Sequence, residues 1–143
     1  MNDFNVKALN DSYKNAHIAM QSIADLLPSV EDEGLKTELN EEYDGYNGVI
    51  SDISSFMLEN ELEPKDINPM KKAMLWSSIK MKTMMNNSKN QIAEMMIKGT
   101  VTGINELTAM LNEEENLIEP VKELVEKLLR LEEEYEVRLR KYL

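Results

Sequence analysis

Apolar residues in this chain recur at alternating spacings of three and four, with polar residues between them. Val6, Leu9, Tyr13, Ala16, Met20, Ile23 and Leu27 form the first such series. The spacing predicts a helix with one bundle-facing seam, ended by Pro28 and capped at its start by Asn2 or Asp3. A second helix is predicted from about 30 to 61, roughly 48 Å long at 1.5 Å per residue, opening on the capping-box pattern Ser29-Val-Glu-Asp32. Its seam reads Leu35, Leu39, Glu42, Tyr46, Val49, Ile53 and Phe56, widened by Tyr43, Ile50 and Met57.

Asn68-Pro69 has the form of an N-cap followed by a proline in the first helical position, and no further proline occurs before Leu111. One helix of that length would be roughly 64 Å, far longer than its neighbours. Asn86-Asn87-Ser88 is poor in helix formers, and Ser88-Lys-Asn-Gln91 repeats the capping-box pattern. A short helix at 69–86 and a long one at 88–111 follow, the latter with the seam Ala93, Ile97, Thr100, Ile104, Leu107 and Leu111. The last helix carries Pro120 in its first turn, where a missing amide hydrogen does little harm. Its seam is Leu117, Val121, Leu124, Leu128, Leu131, Tyr135, Leu139 and Tyr142, with Arg138, Arg140 and Lys141 at the negative end of the helix dipole.

The expected fold is therefore all-α, a single domain over 1–143 with four long helices and one short one between the second and third. A short helix of roughly 27 Å in that connection is able to carry the chain back along the bundle, so that the second and third long helices run parallel. If it stacks on one end instead, simple up-and-down topology results.

Composition removes several kinds of chemistry. There is no cysteine, hence no disulfide framework, thiolate site or thiol nucleophile, and His17 is the one histidine. No glycine-rich phosphate loop, nucleophile elbow or zinc motif occurs. The N-terminus lacks a basic stretch followed by an apolar run, and no apolar stretch approaches the roughly 20 residues that span a bilayer. A cytoplasmic protein is expected, with membrane association disfavoured.

The formal charge of -11 argues against a nucleic-acid partner. That charge is uneven: residues 65–98 carry +5 and the remainder -16. The basic segment is expected to compensate the acidic bundle. Seven of the 11 methionines fall between Met70 and Met96. Thioethers can hold Cu(I), but methionine without cysteine or further histidine nearby reads first as core filling.

With these helices and their spacing, the chain resembles the ferritin-like four-helix bundles, in particular small bacterial members of unknown function that lack the di-iron ligand set. The likeness covers the whole chain. It rests on the helix lengths, on the crossover containing Trp76, and on the run Ile92-Ala-Glu-Met-Met-Ile-Lys-Gly-Thr-Val-Thr-Gly-Ile104. Iron-binding members place a glutamate on each of two helices and Glu-x-x-His on each of the other two. Carried over position by position, Glu42 is followed by Gly45 and Glu132 by Tyr135 where a histidine would stand. His17 lies beside the seam residue Ala16, and Glu94 and Glu106 lie beside seam positions of the third long helix. His17, Glu42, Glu94 and Glu132 are thus the candidate metal ligands, for iron or another divalent cation.

Two further groups stand out. Glu42 on an apolar seam needs a partner if it is ionised, and a cluster of His17, Glu42 and Tyr46 is expected. Gly45 and Gly48 near the middle of the second helix, and Gly99 and Gly103 near the middle of the third long one, each cost about 1 kcal/mol relative to alanine. They are expected to let those two helices approach closely.

The leading expectation is a non-catalytic bundle without a cofactor, acting through an unidentified protein partner or as a homo-oligomer. The alternative is a metal-binding redox or storage protein with a degenerate carboxylate site. A second alternative is membrane-surface or apolar-ligand binding through the methionine-rich basic helix at 69–86.

Overall fold

Asn2 starts the first helix, its side-chain oxygen accepting the Asn5 amide at 2.9 Å. The computed structural model describes residues 1–64 and 88–143. Within them α1 spans Asp3–Leu26, α2 Glu33–Glu59, α3 Lys89–Leu111 and α4 Glu119–Leu139. No strand occurs among the described residues. The helix expected at 69–86, with Trp76 and most of the methionine cluster, lies outside them.

The capping box expected at Ser29 is not the start of α2. Pro28 draws Leu27–Ser29 into a 3-10 turn, and Val30 then takes an extended backbone and is buried. The helix restarts only after Asp32, whose carboxylate accepts the Leu35 amide at 2.8 Å. At its other end Asn60 closes α2, and Glu61 takes a φ of 59° to turn the chain away.

Side-chain pairs between helices set their directions. Asn5, in the first turn of α1, donates to the Asn116 carbonyl at 3.1 Å and accepts the Ile118 amide at 2.9 Å, so α1 and α4 begin at the same end. Ser12 meets Met110 and Asn15 meets Gly103, so α1 and α3 are antiparallel. Tyr142 donates to the Gly34 carbonyl, Arg138 to Glu38, and Lys127 pairs with Asp52, so α2 and α4 are antiparallel. It follows that α2 and α3 run in the same direction. They stand on a diagonal of the bundle and scarcely touch, while α1–α2 and α3–α4 are the closest pairs. The end of α2 and the start of α3 therefore lie at opposite ends.

The core has two apolar sectors. Leu9, Val49, Ile53, Met57, Leu107, Val121, Val125 and Leu128 fill one end; Ile23, Leu26, Leu35, Leu39, Ile92 and Leu139 fill the other. A fully buried side chain of this kind contributes roughly 1.5–3 kcal/mol. Between the sectors lies a layer of polar side chains. Three seams are rotated from their expected phase. On α1 Asn5, Ser12 and Leu26 are buried beside Leu9, Ala16 and Ile23, leaving Val6, Tyr13, Met20 and Leu27 half-buried. On α3 the buried stripe takes Ile92, Met96 and Gly103 beside Ala93, Thr100 and Leu107, leaving Ile97, Ile104 and Leu111 half-buried. On α4 Val125 and Glu132 turn inward instead of Leu124 and Leu131.

Asn5 is fully buried and ties the first turn of α1 to the α3–α4 connection. Replacing it with alanine strands a backbone amide and a carbonyl together. Asn5→Ala is expected to lower stability by about 2 kcal/mol in urea unfolding.

Candidate functional site

The polar layer is built chiefly by α2 and α4. On α2, Glu38, Glu42 and Tyr46 follow one another at intervals of four and are all buried. On α4, Glu132, Tyr135 and Leu139 continue the buried stripe at intervals of three and four. Because the helices are antiparallel, Tyr46 comes level with Glu132 and donates to its Oε2 at 3.2 Å. The rings of Tyr46 and Tyr135 meet edge to face, 5.4 Å between centroids. Towards the bundle surface Arg138 donates to Glu38 at 2.9 Å, pairs with Glu41, and lies 5.7 Å from the Tyr135 ring centroid.

Two glycines make this layer fit. A Cβ at Gly45 would lie 1.8 Å from the Tyr135 hydroxyl oxygen. A Cβ at Gly103 would lie 2.6 and 3.0 Å from the two carboxylate oxygens of Glu132 and 3.1 Å from Asn15 Nδ2. Each glycine on a flanking helix thus accommodates the end of a side chain from α4. At Gly48 and Gly99 an added Cβ would meet nothing within 4 Å. The expectation that the two glycine pairs bring α2 and α3 together is therefore wrong. Those helices are diagonal, and the glycines relieve contacts with α4 or face open space.

Burial dominates the electrostatics. Glu42 has 0% exposure and neither of its oxygens has a hydrogen-bond partner. Its removal from water, reinforced by neighbouring Glu38, pushes its pKa up to about 10 against the opposing pull of Arg138. Burial likewise raises Glu132 to about 8, although the Tyr46 hydroxyl holds it back and Glu106 pushes it further. Tyr46 is displaced well above the usual phenol value by burial and by the carboxyls beside it, and Tyr135 rises to about 12. At neutral pH Glu42 is a carboxylic acid, and Glu132 is mostly one.

Of the residues expected to cluster, Glu42 and Tyr46 share the layer and His17 does not join it by a hydrogen bond. The His17 ring instead lies against Tyr13, 5.6 Å between centroids at 45°, and its Nδ1 is buried without a partner. Of the four candidate metal ligands, Glu42 and Glu132 are in the layer, and Glu94 is exposed and paired with Lys98 at 3.4 Å. Among the described residues, no three His, Asp or Glu side chains converge so as to hold a metal ion.

No family model, curated protein or solved structure matches this chain.

The layer must be interpreted from its own chemistry. The position three residues after Glu42 is Gly45, and the Tyr135 hydroxyl occupies the space a side chain there would need. The position three residues after Glu132 is Tyr135 itself. Asn15 and Gly103 face the Glu132 carboxyl from α1 and α3. Two carboxyls, two phenols and one amide thus converge where a carboxylate–imidazole cage would need more anionic oxygen and ring nitrogen. This donor set suits protons better than iron.

Sequence reasoning missed Asn15 and Glu38, gave Arg138 only a helix-dipole role, and left Glu132 out of the seam of the last helix. For Glu132 a signal existed. It lies four residues after Leu128 and three before Tyr135, in phase with Val121, Val125 and Leu139.

Proposed function

We propose that this chain is a ferritin-like bundle of the kind that lacks the di-iron ligand set, and that it works by associating with proteins, its own copies first, rather than by catalysis. Parallel α2 and α3 support the single-crossover topology of this reading. The observation that carries the non-catalytic part is the middle layer. Burial favours the neutral form of Glu42 and Glu132, Glu38 is taken up by Arg138, and a phenol stands where an imidazole would be wanted.

Association is supported by the exposed apolar side chains. Met1, Leu58 and Ile118 are 49%, 63% and 43% exposed. All three lie at the end of the bundle where α1 and α4 begin and α2 finishes. Val101, Val137 and Leu143 are exposed as well, away from that end, and the three that share it offer the partner surface of this reading. No helix among the described residues is long and apolar enough to cross a membrane.

Light scattering of the purified chain is expected to give a multiple of the chain mass, and Leu58→Glu with Ile118→Glu is expected to return it to one. Metal analysis after iron loading is expected to find well below one atom per chain. A strict monomer at high concentration, or stoichiometric bound iron, would overturn the reading. The methionine-rich segment invoked for membrane binding lies outside the described residues.

A further inference from the structure

The seam between α1 and α3 is the loosest of the adjacent helix pairs. It opens into a cleft of about 180 Å³ that reaches the middle layer. Ile18 and Ala19 of α1 and Met95 and Met96 of α3 form its apolar walls, and Gly99 leaves its mouth open.

Glu132 forms the inner end of this cleft, reaching through from α4 because Gly103 has no side chain. It is 1% exposed, and its Oε1 has no hydrogen-bond partner. Glu106 also lines the cleft, held by Asn15, whose amide donates to Glu106 Oε2 at 3.3 Å and to the Gly103 carbonyl at 3.2 Å. No Lys, Arg or His is among the described residues that line it. Glu106 stands at the exposed side of the cleft and Glu132 at its buried end, so an entering cation meets two acidic side chains and no base among those that line it. The volume is comparable to the roughly 150 Å³ cavity known to take benzene.

We propose that this cleft binds a small organic ammonium ion, a primary amine on an apolar body of roughly six to eight heavy atoms. The ammonium group meets the free oxygen of Glu132 and the Glu106 carboxylate. The body packs against the polarizable methionine side chains. Binding draws the Glu132 proton into solution, because an adjacent cation favours the ionised carboxyl. Amine binding of this kind goes beyond the association proposed above and does not depend on it.

Benzylamine and benzyl alcohol, matched in shape and differing in charge, are the probes. Both are titrated into the full chain near neutral pH and followed by calorimetry and by the methionine methyl resonances. Benzylamine is expected to bind saturably, to shift Met95 and Met96, and to bind at least about tenfold more tightly than the alcohol. Glu132→Gln is expected to abolish that preference. Gly99→Leu, which enters open space at the mouth and leaves the core untouched, is expected to remove binding of both probes. No saturable amine binding, equal affinity for the two probes, shifts confined to another face, or unchanged amine binding in either variant would overturn the proposal.

Discussion

Replacing Glu42 with methionine is expected to raise unfolding free energy at pH 8 by about 2–4 kcal/mol, and to change it far less near pH 4.5. The folded chain holds a proton on Glu42 up to about pH 10, whereas an unfolded carboxyl releases it near its ordinary 4.5. Between these values the folded state binds more protons than the unfolded state, so stability falls as pH rises. The favourable contribution of the neutral acid is complete below about pH 4.5 and is lost as pH climbs through the folded value. Each carboxyl in this condition contributes a slope of up to about 1.4 kcal/mol per pH unit. Glu132 adds its own slope until about pH 8, where it ionises in the folded state. Urea unfolding of wild type at a series of pH values is therefore expected to show its steepest decline between about pH 5 and 8. Glu42→Met removes one proton's share of that slope and two orphaned oxygens with it. A variant with wild-type pH dependence would show that Glu42 is already ionised in the folded chain.

Gly45→Ala is the second large effect, and its sign is unusual. Alanine in place of glycine within a helix ordinarily stabilises by about 1 kcal/mol. At Gly45 the new methyl would stand 1.8 Å from the Tyr135 oxygen and 3.1 Å from its Cζ. Tyr135 is buried and its ring is set against Tyr46, so relief requires moving a packed aromatic pair. Gly45→Ala is expected to lower stability by about 2 kcal/mol, as overpacked cores do. Gly48→Ala, three residues away in open space, is expected to raise it by about 0.5–1 kcal/mol. Removing the offending oxygen with Tyr135→Phe is expected to restore most of the loss in the double variant. The favourable coupling in that cycle is on the order of 1–2 kcal/mol. An additive cycle would show that the hydroxyl does not occupy the space beside Gly45.

Four helices and most of their limits were legible because burial imposes a period of 3.6 on the sequence. Leu9, Ala16 and Ile23 on α1, and Leu35 to Ile53 on α2, fall where that period puts them. The error on α3 has a physical origin. Its inward face carries Gly103 and Thr100, small or polar groups that hydrophobic spacing cannot distinguish from a surface. Ile97 and Ile104 were apolar enough to attract the assignment, yet they flank the stripe. Glu132 was obscured for a related reason, since a carboxyl reads as solvent-facing until the burial of its neighbours is known. The glycine pairs were recognised as needing a packing reason, but the sequence does not say which helix supplies the contact. That depended on the diagonal placement of α2 and α3, which follows from how the four helices pack rather than from composition. The polar layer was half visible: Glu42 and Tyr46 announced it, while Asn15 and Arg138 complete its surroundings from other helices.

Neutral carboxylic acids at the centre of the bundle underlie the first of these effects. Carbon-13 labelling of the glutamate side-chain carboxyls, followed by NMR through a pH titration, reads their ionisation directly. Glu42 is expected to remain protonated through pH 8, and Glu132 to titrate near 8. Carboxyl resonances for Glu42 and Glu132 that move together with those of the surface glutamates would contradict a neutral layer.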